Sequence, residues 1–135
     1  MIGNIVTECN EISQRDQKGE TAMVSIGRFV SYGLDVGCDY TGLGRWSWIL
    51  VGSEEKKTRI MVAYQPSALK NKNTKGFTVF EQQERYFESH GDRWSPRTIF
   101  YKQYVAQLRI WCQQEEEIIL CGDFNEHVYE GRLAQ

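Results

Sequence analysis

A mixed α/β domain, or part of one, is what this chain of 135 residues predicts. Three observations carry the prediction. Residues 60–63 (Ile-Met-Val-Ala) and 118–120 (Ile-Ile-Leu) are continuous apolar runs, the pattern of strands buried on both faces. Each run turns polar abruptly, the first at Tyr64-Gln65-Pro66 and the second at Gly122-Asp123-Phe124-Asn125-Glu126-His127. Between them lie two stretches with helix-start signals and helically spaced apolar residues. A buried strand cannot hold unpaired polar groups. Both polar ends therefore belong at strand C-termini opening onto a cleft, where open α/β sheets place their chemistry. Asp and Asn are also ordinary turn residues, so the second motif needs the rest of the chain to give it meaning.

Composition narrows the class. A hydrophobic content of 41% and 13% aromatics suffice for a packed core, which argues against disorder. The net charge of −2 gives no electrostatic case for a dedicated DNA-binding module, although a cleft that handles phosphates through metal ions need not be basic. Cys9, Cys38, Cys112 and Cys121 show no C-x-x-C spacing, which predicts neither a disulfide partner nor a zinc site. Cys112 and Cys121 read as small core residues. No apolar run approaches the ~18 residues of a membrane span, and the start of the chain lacks a signal-peptide h-region. The expected location is intracellular, in cytoplasm or nucleus.

Residues 1–21 are polar and poorly patterned, and supply no first core strand. Residues 22–32 are rich in β-formers and predict a strand with Gly27 as a bulge. Residues 33–44, rich in Gly and Asp, predict a tight connection; the glycine spacing fits neither a P-loop nor a dinucleotide fingerprint. Residues 46–51 form a strand with Trp46, Trp48 and Leu50 on one face. A charged turn at 52–57 leads into a return strand at 58–64, an antiparallel hairpin that Pro66 terminates.

The loop at 67–76 carries Lys70, Lys72 and Lys75 and is read as solvated, with a phosphate backbone as its alternative contact. Thr78-x-x-Glu81 is a capping box opening a helix with Val79, Phe80, Tyr86 and Phe87 as its apolar stripe. Gln83 falls on that stripe; the favoured reading is a core amide bonded to backbone, the other an amide reaching the site. Ser95-Pro96 opens a second helix, with Phe100, Tyr104, Leu108, Trp111 and Cys112 facing a sheet. His90 is read as a surface residue, and a further helix is a candidate from Glu130.

Taken together, the strand ending Tyr64-Gln65-Pro66 and the strand running into Gly122-Asp123-Phe124-Asn125, 59 residues apart with helices between, resemble the endonuclease/exonuclease/phosphatase superfamily of DNase I-like fold. Gly44-Arg45-Trp46, Thr78 with Gln82-Gln83, Ser95-Pro96-Arg97 and Gly122-Asp123-Phe124-Asn125-Glu126 look closest to retroelement-type endonuclease domains. The resemblance covers most of residues 22–135. It implies a four-layered α/β sandwich and metal-dependent phosphodiester hydrolysis, with nucleic acid as the substrate. The alternatives are a phosphatase for phosphorylated lipid headgroups and a non-catalytic remnant or binding fragment. By resemblance, Asp123 orients or deprotonates the attacking water, Asn125 fixes phosphate and aspartate by hydrogen bonds, and Tyr64 hydrogen-bonds a phosphate oxygen. Mg²⁺ is the implied ion, with Mn²⁺ as its substitute, and Asp123 and Asn125 are expected near it. Arg45, Glu126 and His127 receive no role.

Two features of the family pattern have no counterpart. The family's metal-binding glutamate follows an apolar N-terminal strand, and Thr7-Glu8-Cys9-Asn10 has no such form. The family's late Asp-His pair is also missing, since His127 lies too near Asp123 to serve. The expectation is therefore the central part of such a domain over residues 22–135, incomplete at both ends, inactive alone, marginally stable and prone to aggregate.

Overall fold

The computed structural model describes residues 5–6, 21–68 and 78–126; the lysine loop, His127 and the candidate helix from Glu130 lie outside them. In chain order come β1 (Ile5–Val6), β2 (Met23–Val24), a 3₁₀ helix (Gly27–Tyr32), β3 (Gly33–Cys38), β4 (Trp46–Gly52), β5 (Lys57–Tyr64), α1 (Val79–Ser89), α2 (Pro96–Gln113) and β6 (Glu117–Asp123). The result is a mixed α/β structure. Its main sheet has the order β3-β4-β5-β6, and β1 pairs with β2 in a small second sheet. β3 and β4, and β4 and β5, are antiparallel; β5 and β6 are parallel.

The hairpin forms as its pattern predicts. Trp46 pairs with Ala63 and Trp48 with Met61, and paired residues share a sheet face. α2 covers that face. Phe100, Tyr104 and Trp111 pack on Trp46, Met61 and Ala63, with Trp48, Leu108, Ile118 and Phe124 around them. Trp46 meets Phe100 edge-on at 5.7 Å, and Phe100 stacks on Tyr104 at 5.2 Å. The Arg59 guanidinium lies between the rings of Trp48 and Trp111, at 4.0 and 4.4 Å, and makes two bonds to Glu116 at 2.6 and 2.7 Å. A buried charge at a strand centre is thus paired and hydrogen-bonded on all but one nitrogen, Nη1.

Both helices begin where their caps predict. Thr78 Oγ1 accepts from the Glu81 N–H at 3.2 Å while Glu81 Oε2 accepts from the Thr78 N–H at 2.8 Å. Ser95 Oγ accepts from the Thr98 N–H ahead of Pro96 in the first turn. α1 docks through Phe87 onto Leu43 and Ile99. Gln83 is buried, but neither of its side-chain polar atoms has a hydrogen-bond partner among the described residues, so the backbone-bonded reading does not hold.

Several expectations are corrected. Residues 22–32 are not one strand but the two-residue β2 followed by the 3₁₀ helix. Gly27, at φ +68°, opens that helix instead of bulging a ladder. The glycine-rich connection contains a strand, β3. Gly37 is required there, because a Cβ would come within 2.4 Å of the Trp48 ring across the ladder. Cross-strand pairing outweighs local composition at this point. β6 is not buried on both faces. It is the last strand of the sheet among the described residues, with Ile119 49% and Leu120 43% exposed. Cys112 and Cys121 are exposed free thiols, not core residues. Cys38 is disulfide-bonded, with its partner outside the described residues, so the expectation of no disulfide fails. Sequence spacing reports on local motifs and not on contacts made by the fold. Among the described residues no helix is long and apolar enough to cross a membrane.

Candidate functional site at the ends of β5 and β6

The parallel register sets Tyr64 directly opposite Asp123. Adjacent strands lie ~4.8 Å apart and register partners point to one face, so the two strand ends that turn polar in sequence are side by side in the fold. The ladder runs one step further, with the Gln65 N–H donating to the Asp123 carbonyl at 2.9 Å. On its other side Tyr64 donates its N–H to the Arg45 carbonyl at 2.8 Å.

Beyond Asp123 the residues alternate in role. Asp123 is exposed. Phe124 turns inward and packs edge-on against Tyr104 and Phe100 at 5.7 and 6.4 Å. Asn125 turns outward again. Its N–H donates to Asp123 Oδ1 at 2.9 Å, and its Nδ2 donates to the Gln65 carbonyl at 2.7 Å. Asn125 sits at φ +47°, a conformation that asparagine tolerates better than most residues. One apolar anchor thus fixes two polar neighbours, and the asparagine amide ties the loop after β6 to the end of β5.

Arg97, on the first turn of α2, closes the arrangement. Its Nη1 donates to the Pro66 carbonyl at 3.1 Å. Its Nη2 donates to the Asn125 carbonyl at 3.2 Å and to Glu126 Oε1 at 3.1 Å. The guanidinium fork bridges both strand-end loops. Gln65 lies beneath them, 2% exposed, with no hydrogen-bond partner for its Oε1 among the described residues. Gln65 and Arg97 belong to the Tyr64-Gln65-Pro66 and Ser95-Pro96-Arg97 motifs, but their contacts carry no signal in sequence, since the partners are distant along the chain.

The structure therefore brings Tyr64, Asp123 and Asn125 to one end of the sheet. The Arg45 side chain is engaged in the core. It is fully buried, with its Nη2 donating to Asp39 Oδ1 at 2.8 Å and to Gln103 Oε1 at 2.6 Å. Glu126 is engaged by Arg97.

A divalent cation requires several oxygen ligands. Among the described residues no group of three His, Cys, Asp or Glu could hold one. Asp123 offers a single exposed carboxylate, so an ion held there would draw its remaining oxygen ligands from water and substrate phosphate. The exposed Asp123 carboxylate can accept a proton, and Asn125 has a second amide hydrogen besides the one given to Gln65. Comparison with family models, with curated proteins and with solved structures found no match.

Proposed function

We propose that this chain carries the phosphate-facing strand ends of a metal-dependent phosphodiesterase of the DNase I-like type, acting on nucleic acid. The observation that supports it is the parallel register of Tyr64 with Asp123, with Asn125 tied to Asp123 and to the Gln65 carbonyl. In this reading Asp123 takes a proton from water as the water oxygen bonds to phosphorus and the ester P–O bond opposite breaks, the departing oxygen taking a proton from solvent. Asn125 and Tyr64 donate to the phosphoryl oxygens, which gain charge in the transition state. In the same reading the chain is part of a four-layered α/β sandwich of that superfamily.

The test is phosphodiester binding. The probe is a fluorescent ten-residue oligothymidylate, titrated with the purified chain at low salt. Tyr64→Phe removes one donor to a charged oxygen, an interaction worth about 1.5–3 kcal/mol, and should weaken binding at least about tenfold. No binding by the wild-type chain, or equal binding by Tyr64→Phe, overturns the proposal.

A further inference from the structure

The start of α2 carries features that the strand-end site does not use. Trp94, just ahead of the Ser95 cap, is 61% exposed. Its backbone is held by a bond from its N–H to Asp92 Oδ1 at 3.1 Å. The Lys102 ammonium lies over the indole, 4.0 Å from the ring centroid. One ring face is therefore covered by a cation, while the residue as a whole stays largely exposed.

Charge is distributed in the same sense. From Arg93 to Gln114 the chain holds four cations, Arg93, Arg97, Lys102 and Arg109, and no carboxylate. That segment carries +4 in a chain of net −2, so the remaining residues carry −6. Lys102 is two positions past Phe100, about 200° around the helix, and so on the face away from the sheet. Arg109 follows seven positions later on the same exposed face.

Position links this patch to the strand ends. Trp94 is three residues from Arg97, a separation of at most ~11 Å between Cα atoms, and Arg97 contacts the carbonyls of Pro66 and Asn125. The first turn of α2 thus connects Trp94 to the strand ends.

Resting on the phosphodiesterase reading, we infer that Trp94 is a base-stacking platform for single-stranded nucleic acid, backed by Lys102 and flanked by Arg93. An aromatic ring accepts any base by its π-face, and nearby cations follow the backbone, the combination by which strands are held without sequence preference. A cation on one face of the indole leaves the opposite face for the base.

The experiment separates this inference from the reading beneath it. Two decamers of equal charge are compared on the wild-type chain, oligothymidylate and an abasic decamer that keeps every phosphodiester. The expected result is at least about tenfold tighter binding of the thymidylate strand. Trp94→Ala should abolish that preference and leave affinity for the abasic strand unchanged, and Lys102→Met should reduce both affinities. Circular dichroism checks that each variant is folded. No preference in the wild-type chain, or a preference that persists in Trp94→Ala, overturns the platform while binding of the abasic strand upholds the phosphodiester site. Failure of the wild-type chain to bind either strand overturns both.

Discussion

Gly122 and Ala63 face each other across the β5–β6 ladder so closely that a Cβ on the glycine would lie 2.0 Å from the Ala63 carbonyl oxygen. Gly122 also sits at φ +152°. The glycine that separates the apolar run from Asp123 is thus a condition for the two strand ends to meet. Gly122→Ala should cost about 2–3 kcal/mol, from backbone strain and the contact together. Gly91 is the control: at φ +83° it has open space, with nothing within 4 Å of where a Cβ would stand, so Gly91→Ala should cost only about 1 kcal/mol. Urea midpoints of the two variants decide; equal losses would show that the Ala63 contact has no weight.

Tyr104 predicts an alkaline limit to stability. Its side chain is fully buried and its hydroxyl has no hydrogen-bond partner among the described residues. Burial, and secondarily Cys121, push the phenol well above its ordinary 10.0. The folded state therefore favours the neutral phenol. Its contribution to stability is fully present below pH ~10, where the unfolded chain also keeps the proton, and falls as pH rises above that value toward the folded-state pKa. Tyr104→Phe should flatten this fall. At pH 7 it should be neutral or stabilising by up to about 1 kcal/mol, because it removes an unsatisfied buried hydroxyl. Urea midpoints at pH 7, 9 and 11 give the slope. A loss above about 1 kcal/mol at pH 7 would mean that the hydroxyl is bonded.

The Asp39–Arg45 pair is fully buried on both sides. Among the described residues, Asp39→Ala leaves the Arg45 charge with Gln103 and the rings of Trp46 and Phe87. A loss of about 3–5 kcal/mol is expected. Replacing both residues together, as Asp39→Leu with Arg45→Met, should cost less than Asp39→Ala alone, since no unpaired charge is left. A double variant at least as unstable as the single one would refute this.

Asp123 is exposed at a strand end, so Asp123→Asn should change stability by less than about 0.5 kcal/mol. Catalytic groups act as a unit, so a site that rests on Asp123, Asn125 and Tyr64 alone should hydrolyse slowly. The chain alone with Mg²⁺ should therefore nick plasmid DNA no faster than Asp123→Ala. Nicking well above that control would show a working site. In that event Asp123→Asn should lower the rate at least ~10²-fold.

What could be read in advance follows the range of the interactions. The capping box at Thr78 and Glu81, the Ser95-Pro96 helix start and the Trp46/Trp48 face depend on neighbours within a few residues or one hairpin, and all three stand. The juxtaposition of Tyr64 and Asp123 was legible because both strands change polarity at the same end. β3 was hidden because Gly37 is dictated by a ring eleven residues away, not by strand propensity. The exposure of β6 was hidden because an apolar run says nothing about how many neighbours its sheet provides. Arg97 was silent as a contact because its partners come from residues 66, 125 and 126.

The pairing of β5 with β6 has a consequence for the order of folding. β3, β4 and β5 are successive antiparallel strands, whose closure spans few residues. Tyr64 and Asp123 are 59 residues apart, and two helices must be accommodated before they meet. Contacts of such separation incur their loop-closure entropy before they return any energy, and they slow folding. The meander can therefore assemble without the strand-end groups being near one another. Asn125 reaches the Gln65 carbonyl only after the crossover is complete, and refolding followed at that bond should lag behind the Trp46–Ala63 ladder.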